Sequence, residues 1–338
     1  MKKDKLSVIS EKLTERLLQV DYTNLPISDY NKRYIAKLYP ALSYYMKIYT
    51  DCLLKGIKVI HLDPADIVLV DYGGGSGFLS ILAKEVGIGR VIYIDLNPLS
   101  VDTVKTFKKE IGTGPDEILC GSSDVLAEWC TIRKIKPHLL IATDLIEHIY
   151  HLQSFFNDLH KVNDQMAMIF TTGSTPYNPI VKRRLHKYMS ACETGQAVLP
   201  NYYTKRKTFI KEHYPNLFDE QIDVWSECTR GLIYEDIRKA IDDNRLPIPD
   251  DKHNTCDPET GNWTERILPI KTYKSILAPY NYKVRVAKGY FNTRRENPFS
   301  RLISKCINCF IKISGPVGLF FAPFIFLLCI PDKINESK

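Results

Sequence analysis

The chain has no internal repeat and no low-complexity segment, and its charge is nearly balanced. Against 39 acidic residues stand 46 lysines and arginines, a formal +7 over 338 residues. The strong basicity that tracks a nucleic-acid backbone is therefore missing. A balance of +7 favours at most anionic surfaces, such as phospholipid head groups or phosphorylated substrates. The amino terminus, MKKDKLSVISEKLTERLL, lacks the apolar core of a secretory leader, so the cytoplasm is the expected location. An even complement of cysteines is lacking too. Nine cysteines do not close a disulfide framework and read as reduced thiols, many of them in the core. Cys306-Ile-Asn-Cys309 has no second CxxC and no nearby His pair, which argues against a zinc or redox centre. A hydrophobic fraction of 44% with 25% charged residues excludes a fully disordered chain and a polytopic membrane protein.

What is present is an alternation of strands and helices. Residues 1–65 read as a helical cap, with Tyr30, Tyr34, Tyr44 and Tyr45 at helical spacing. These tyrosines read as core packing, with a lid over a pocket as the functional alternative. From Asp66 the period changes. Ile67–Val70, Val91–Ile94, Glu117–Cys120, His138–Thr143 and Met166–Thr171 are short apolar runs, the pattern of strands buried on both faces. Between them, Ser76–Val86, Pro98–Ile111, Asp124–Arg133 and Ile149–Val162 read as helices, which implies a parallel, doubly wound α/β sheet over residues 66–173. The alternation then stops. Residues 174–262 read as a helical insertion, with helices at Pro179–Met189, Tyr203–His213 and Glu220–Asp243. Residues 263–293 return to the core through a helix, Leu268–Leu277, and a strand, Tyr282–Val286.

The chemistry starts at Asp71-Tyr-Gly-Gly-Gly-Ser-Gly77, between the first strand and the first core helix. Gly73, Gly75 and Gly77 permit a sharp turn and close backbone approach. The turn sits at the carboxyl end of a strand, where open α/β sheets bind ligands, and the following helix favours an anionic group there. A dinucleotide loop would want its third glycine at position 78, which is Phe78, and no Gly-Lys-Ser/Thr follows to make a P-loop. Asp95, ending the second strand, suits a bidentate bond to ribose hydroxyls, a logic that also serves NAD. Leu96 is read with it as cofactor-binding.

The pattern D-x-G-x-G-x-G resembles motif I of the class I S-adenosylmethionine-dependent methyltransferases. That resemblance implies a mostly parallel, Rossmann-like sheet of seven strands, with a helical amino-terminal region, a helical insertion after strand 5, and S-adenosylmethionine as cofactor. Asp71, Gly73, Gly75, Gly77 and Asp95 match the motif. Cys120-Gly-Ser-Ser-Asp124 occupies the family's adenine-contact position, which points to Ser123 and Asp124, with the usual Gly-Asp pair displaced. Thr143-Asp-Leu-Ile-Glu-His-Ile149 looks like the LEH segment of small-molecule methyltransferases of ubiquinone and menaquinone biosynthesis. It places Asp144 with the cofactor and Glu147 and His148 with the acceptor. Thr171–Pro176 is similar to the T-P-N end of their fifth strand, with Tyr177 inserted before Asn178. The similarity covers residues 60–178 and the helix and strand near 265–290.

An in-line methyl transfer to a hydroxyl needs a base near the transferred group. His148 is the candidate, with Glu147 beside it; Asp144 and Glu147 can also be solvated, and two acids with one His do not make a metal site. Tyr177, Asn178 and Arg183 open the insertion and are read as acceptor contacts. Lys182, Arg183, Arg184 and Lys187 can grip phosphate or acidic sugar groups, or form a solvated face. The run Leu319–Ile330 is densely apolar, interrupted by Pro323 and preceded by Arg294, Arg295, Arg301, Lys305 and Lys312. The tail 294–338 is therefore expected to make a peripheral membrane contact through residues 313–331 at the inner face, with a buried core element as the alternative. The acceptor expected is a small molecule or a lipid-linked, glycan or quinone-like compound, methylated on oxygen. A non-catalytic scaffold retaining the fold is the rival. A nicotinamide oxidoreductase is disfavoured by Phe78, and nucleic-acid methylation by the absence of an Asn-Pro-Pro-Tyr-like segment.

Overall fold

A computed structural model describes residues 3–249, 251–294 and 296–332. The chain divides into two compact units. One holds the residues up to Leu145, Gln153–Thr172 and those from Lys271 onward; the other holds Ile146–Leu152 and Gly173–Ile270.

The first unit is built on a seven-stranded sheet of order β3-β2-β1-β4-β5-β7-β6. Its strands are β1 (Val68–Tyr72), β2 (Arg90–Asp95), β3 (Glu117–Cys120), β4 (Leu139–Thr143), β5 (Ala167–Thr172), β6 (Tyr282–Lys288) and β7 (Ile325–Pro331). The first five run parallel, and β7 is antiparallel to both β5 and β6. This is the mostly parallel, Rossmann-like sheet of seven strands that motif I implied. Pairing of Tyr72 with Ile94 brings the ends of β1 and β2 side by side. The loop after β1 and the acid ending β2 are neighbours for that reason.

The helices α4 (Phe78–Val86), α5 (Pro98–Ile111), α6 (Ser123–Arg133) and α7 (Leu152–Val162) connect the parallel strands. Pro98 stands in the first turn of α5 behind the cap Asn97, whose side chain accepts from the Leu99 amide at 3.0 Å. Ahead of the sheet lie α1 (Lys3–Gln19), α2 (Asp29–Leu38) and α3 (Leu42–Ile60). Leu6, Leu13 and Leu17 of α1, Leu53 of α3 and Ile81 and Leu82 of α4 are all buried in one apolar cluster with Leu69, Leu139 and Ile169 of the sheet. The amino-terminal helices are thus part of the sheet unit's core.

The apolar run near the carboxyl end corrects an expectation. Ile325–Pro331 does not meet a membrane; it is the strand β7, hydrogen-bonded on both edges, with six of its seven residues buried. An inner strand covered on both faces needs continuous apolar sequence, as a lipid-facing segment does, and Pro323 marks where it begins. Gly315–Phe320 is a 3₁₀ turn. Among the described residues no helix is long and apolar enough to cross a membrane. Arg295 and residues 333–338 of the tail lie outside the described residues.

The second unit is helical: α8 (Pro179–Thr194), α9 (Tyr202–His213), α10 (Asp219–Cys228) and α11 (Tyr234–Asp242), with α12 (Ile270–Leu277) starting at its end. One helix expected over Glu220–Asp243 is two. The chain leaves helical geometry at Thr229, and the Arg230 guanidinium is held by the carbonyls of His253 at 2.8 Å and Asn254 at 3.2 Å. Phe209, Ile210, Ile222, Trp225 and Ile237 form the apolar core between α9, α10 and α11. Beside them Arg206 is wholly buried, paired with Glu193.

Candidate cofactor site

The glycine loop connects β1 to α4 with Gly73, Gly75 and Gly77 all at positive φ. Gly77 caps α4 at φ 76°, and a Cβ there would lie 2.1 Å from Val104 Cγ2. Both the left-handed backbone and this contact require glycine. Gly75, at φ 53°, differs: a Cβ would meet nothing nearer than the Tyr34 hydroxyl, 3.7 Å away. Its side of the loop is open, a cradle that a side chain would fill. Within the loop the Ser76 hydroxyl is buried with no hydrogen-bond partner among the described residues.

Asp95 ties this loop to β2. Its Oδ2 accepts from the Gly75 amide at 2.9 Å and its Oδ1 from the Asn97 amide at 2.8 Å. Burial raises its pKa, against the two amide bonds, which lower it. Each carboxylate oxygen keeps a further lone pair, so the group can still accept from a pair of ribose hydroxyls. Leu96, the next residue, is 73% exposed and offers an apolar surface beside the carboxylate.

Asp71 is placed differently. It is buried beneath the loop, where its Oδ2 accepts from the Ser80 hydroxyl at 2.6 Å. It therefore fastens the start of α4 to the end of β1. Desolvation pushes its carboxyl up to about 7 from an ordinary 3.8, the Ser80 bonds opposing. Between those values the unfolded chain has lost the proton that the folded chain keeps. Stability from this group therefore falls as pH rises from about 4 to about 7. Asp71→Asn removes that dependence: thermal unfolding is expected to show the variant gaining a few degrees over wild type across this window and no more above it. A difference in Tm that stays constant with pH would remove Asp71 as the source.

Of the two readings of Tyr34, core packing and a lid, core packing fails: on α2 it is 42% exposed, and its hydroxyl stands at the open side of the loop. Desolvation first, and then the charge of Asp144, pushes that hydroxyl up to about 12. The hydroxyls of Tyr45 and Tyr49 on α3 are also raised, by desolvation and with Asp144 contributing. Asp144 follows β4 at φ 54°, a left-handed conformation uncommon outside glycine, and its amide donates to the Thr171 carbonyl at 3.0 Å. Asp71, Asp95 and Asp144 thus gather at the carboxyl ends of β1, β2 and β4 with three tyrosines. No sequence period signals Tyr34, because its helix packs through Ile35 and Leu38 while Tyr34 points elsewhere.

Ser123 and Asp124 open α6. The Ser123 hydroxyl is buried and donates to Asp158 Oδ2 at 2.9 Å, joining α6 to α7. Asp124 is exposed, accepts from the Ser122 hydroxyl, and has its pKa lowered by that bond and by the amide of Val125. It is a first-turn acid of α6.

Glu147, His148, Tyr177, Asn178 and Arg183 belong to the second unit. Glu147 is fully buried, and its Oε1 accepts from the Gly173 amide at 3.2 Å. His148 Nδ1 lies 2.7 Å from the Trp263 carbonyl. A carbonyl only accepts, so Nδ1 carries the proton and Nε2 is the basic nitrogen. Asn178 is buried as the cap of α8, accepting from the amides of Ile180 and Val181 at 3.0 and 3.1 Å. Tyr177 is half-buried, and Arg183, with Arg184 and Lys187, is exposed on α8. Among the described residues no group of three or more His, Cys, Asp or Glu side chains could hold a metal ion.

No family model matches the sequence. A stretch of 44 residues is 50% identical to the ribosomal protein L11 methyltransferases of Burkholderia mallei and Burkholderia pseudomallei, which is 13% of this chain. The chain spans 14% of the length of these curated relatives. A SAM-dependent methyltransferase structure from Archaeoglobus fulgidus is similar at 14% identity, over 85% of this chain and 99% of that one, with a TM-score of 0.37. The YcgJ protein of Bacillus subtilis is similar at 10% identity, over 82% and 97% of the two chains, with a TM-score of 0.41.

Proposed function

We propose that this chain is an S-adenosylmethionine-dependent methyltransferase acting on a small-molecule or lipid-linked acceptor, with oxygen as the methylated atom. The observation that carries the reading is the bond from the Gly75 amide to Asp95, which holds an open glycine cradle against an acid able to accept from ribose hydroxyls. The residues fit that cofactor. Gly73, Gly75 and Gly77 shape the loop, Ser76 offers a spare hydroxyl, and the exposed Leu96 would supply an apolar contact to the adenine, with Asp124 exposed at the turn after β3 and the Ser123 hydroxyl held by Asp158. Asp144 and Tyr34 add polar groups at the same strand ends.

Bound S-adenosylmethionine supplies an already activated methyl group, so the chain's work is alignment, exclusion of water and removal of one proton. In this reading His148 Nε2 takes the proton from the acceptor hydroxyl, with the Trp263 carbonyl holding the ring. Glu147 positions the turn after β5 through the Gly173 amide. Tyr177 and the exposed Arg183 contact the acceptor, while Asn178 holds the start of α8.

Calorimetry of the full chain tests the donor half: S-adenosylmethionine and S-adenosylhomocysteine are expected to bind in the micromolar range. No heat at millimolar ligand would favour a scaffold that keeps only the fold. With labelled donor and a lipid extract as the acceptor source, His148→Gln is expected to lower turnover by about 10²–10⁴-fold. Donor affinity should stay as in wild type; equal turnover would remove His148 as base.

A further inference from the structure

We infer that α13 (Pro298–Ile313) and the turn after it are a docking face for an anionic lipid bilayer. The helix is divided into three stripes. At 3.6 residues per turn, Ser304 and Ile311 share one side with the half-buried Ser300, Ile307 and Asn308. This side packs on the sheet unit. Phe299, Leu302, Ile303, Phe310 and Ile313 fall within an arc of about 100° on another side. They are exposed by 43% to 74%. Arg301, Lys305 and Lys312, all exposed, fall within about 40° of one another between these two stripes. A soluble surface helix normally turns its polar side outward. Here the outward side is apolar with a basic border.

The apolar face continues beyond the helix. Val317, Phe320 and Phe321 of the following turn are each about half exposed, and the Phe321 ring meets that of Phe310 edge-on at 4.9 Å. The face is held firmly. Lys288 of β6 donates to the carbonyls of Ile311, Lys312 and Gly315, closing the carboxyl end of α13. Asn308 exchanges two hydrogen bonds with the backbone of Phe291, at 2.7 and 2.9 Å.

Charge decides the occupant. The sequence of α13 contains no Asp or Glu. A second copy packed on the same face would bring two basic stripes together with no acid on either helix to answer them. An anionic bilayer supplies what both stripes need: hydrocarbon for the phenylalanines and head-group phosphates for the cations. A cavity of about 450 Å³ adjoins the helix, and among the described residues its lining sets Lys47, Lys55, Lys288, Arg294 and Lys312 against one acid, Asp51, which pairs with Lys47. The local charge is therefore basic beyond the helix itself. The surface differs from the one expected from sequence: the contact runs over 298–321, and the apolar run after Pro323 is inside the sheet.

Vesicle co-sedimentation of the full chain tests this without cofactor or acceptor, so its outcome is independent of the proposed methyl transfer. Binding is expected to phosphatidylcholine vesicles containing phosphatidylglycerol and to fall steeply in high salt. The triple variant Arg301→Gln, Lys305→Gln, Lys312→Gln should partition on the order of 10²-fold less. Leu302→Asp with Phe310→Asp should abolish partition, with Tm lowered by only a few degrees, since Leu302 is exposed and Phe310 gives up its edge contact with Phe321. Wild-type chain left in the supernatant, or binding equally to neutral vesicles, would overturn the inference. So would a wild-type dimer in analytical ultracentrifugation that the Leu302 and Phe310 changes convert to monomer.

Discussion

Asp95→Ala is expected to lower the affinity for S-adenosylmethionine by about 10²–10³-fold, which at 1.4 kcal/mol per decade is about 3–4 kcal/mol. Two losses combine. The Gly75 amide loses the carboxylate oxygen 2.9 Å away that holds the loop at a left-handed φ, and the cofactor loses its ribose acceptor. Hydrogen bonds to a charged group contribute about 1.5–3 kcal/mol each. Asp95→Asn separates the two, since its amide keeps one acceptor oxygen and can serve the loop or the ribose. An intermediate loss of about tenfold is expected, about 1.4 kcal/mol. Calorimetry reads both values, and Tm checks that the sheet is intact. Affinity unchanged in Asp95→Ala would place the cofactor elsewhere.

Arg206→Ala is expected to destabilise the helical unit by about 3–5 kcal/mol, the usual cost of leaving a buried charge without its partner. Arg206 is wholly enclosed, and its guanidinium pairs with Glu193 while its Nε donates to the Ser226 carbonyl at 3.1 Å. The Thr255 hydroxyl completes the cluster, donating to Glu193 Oε2 at 2.6 Å. Desolvation pushes the Glu193 carboxyl up, but Arg206 and Thr255 outweigh it and hold the group below its ordinary 4.5. In wild type this contribution is present above pH 4.5 and is lost as pH falls through the lowered folded value. Without Arg206 the largest influence lowering this carboxyl is gone and desolvation is opposed only by Thr255 and Arg230, so the carboxyl protonates more easily. The Tm gap between wild type and variant, about 10 °C near neutrality, should therefore narrow as the solution is made acidic. Arg206→Met with Glu193→Leu removes both charges and is expected to recover most of the loss. A gap independent of pH would assign the effect to lost packing.

The parallel half of the sheet was legible because its signals are local. Apolar runs of four to six residues between amphipathic helices name buried strands, and Pro98 marks the first turn of α5 before the helix is seen. Motif I was legible for the same reason, since Gly73, Gly75 and Gly77 are required by one turn of backbone. Other features depend on partners far along the chain. The run Ile325–Ile330 carries the same composition whether lipid or β5 and β6 cover it, and only pairing decides. Tyr34 meets Gly75 across some forty residues, and nothing in the spacing of α2 distinguishes a tyrosine at the loop from one in the core. The adjacency of Glu147 and His148 was plain, but not that one is sealed around the Gly173 amide while the other hangs from a carbonyl.

The position of β7 also sets an order of events during synthesis. It lies between β5 and β6, and β6 touches the sheet through it alone. While the ribosome is still translating residues before Ile325, β5 is an open edge and β6 has nowhere to dock. The free edge of β5, a row of amides and carbonyls between apolar side chains, is then the kind of template that captures other chains. The nascent molecule is thus most exposed to aggregation after its parallel strands have formed and before Pro331 has emerged. The sheet is complete only with the insertion of Ile325–Pro331 between β5 and β6. Mutations that slow this insertion should lower yield in the cell before they lower the Tm of the molecules that complete it.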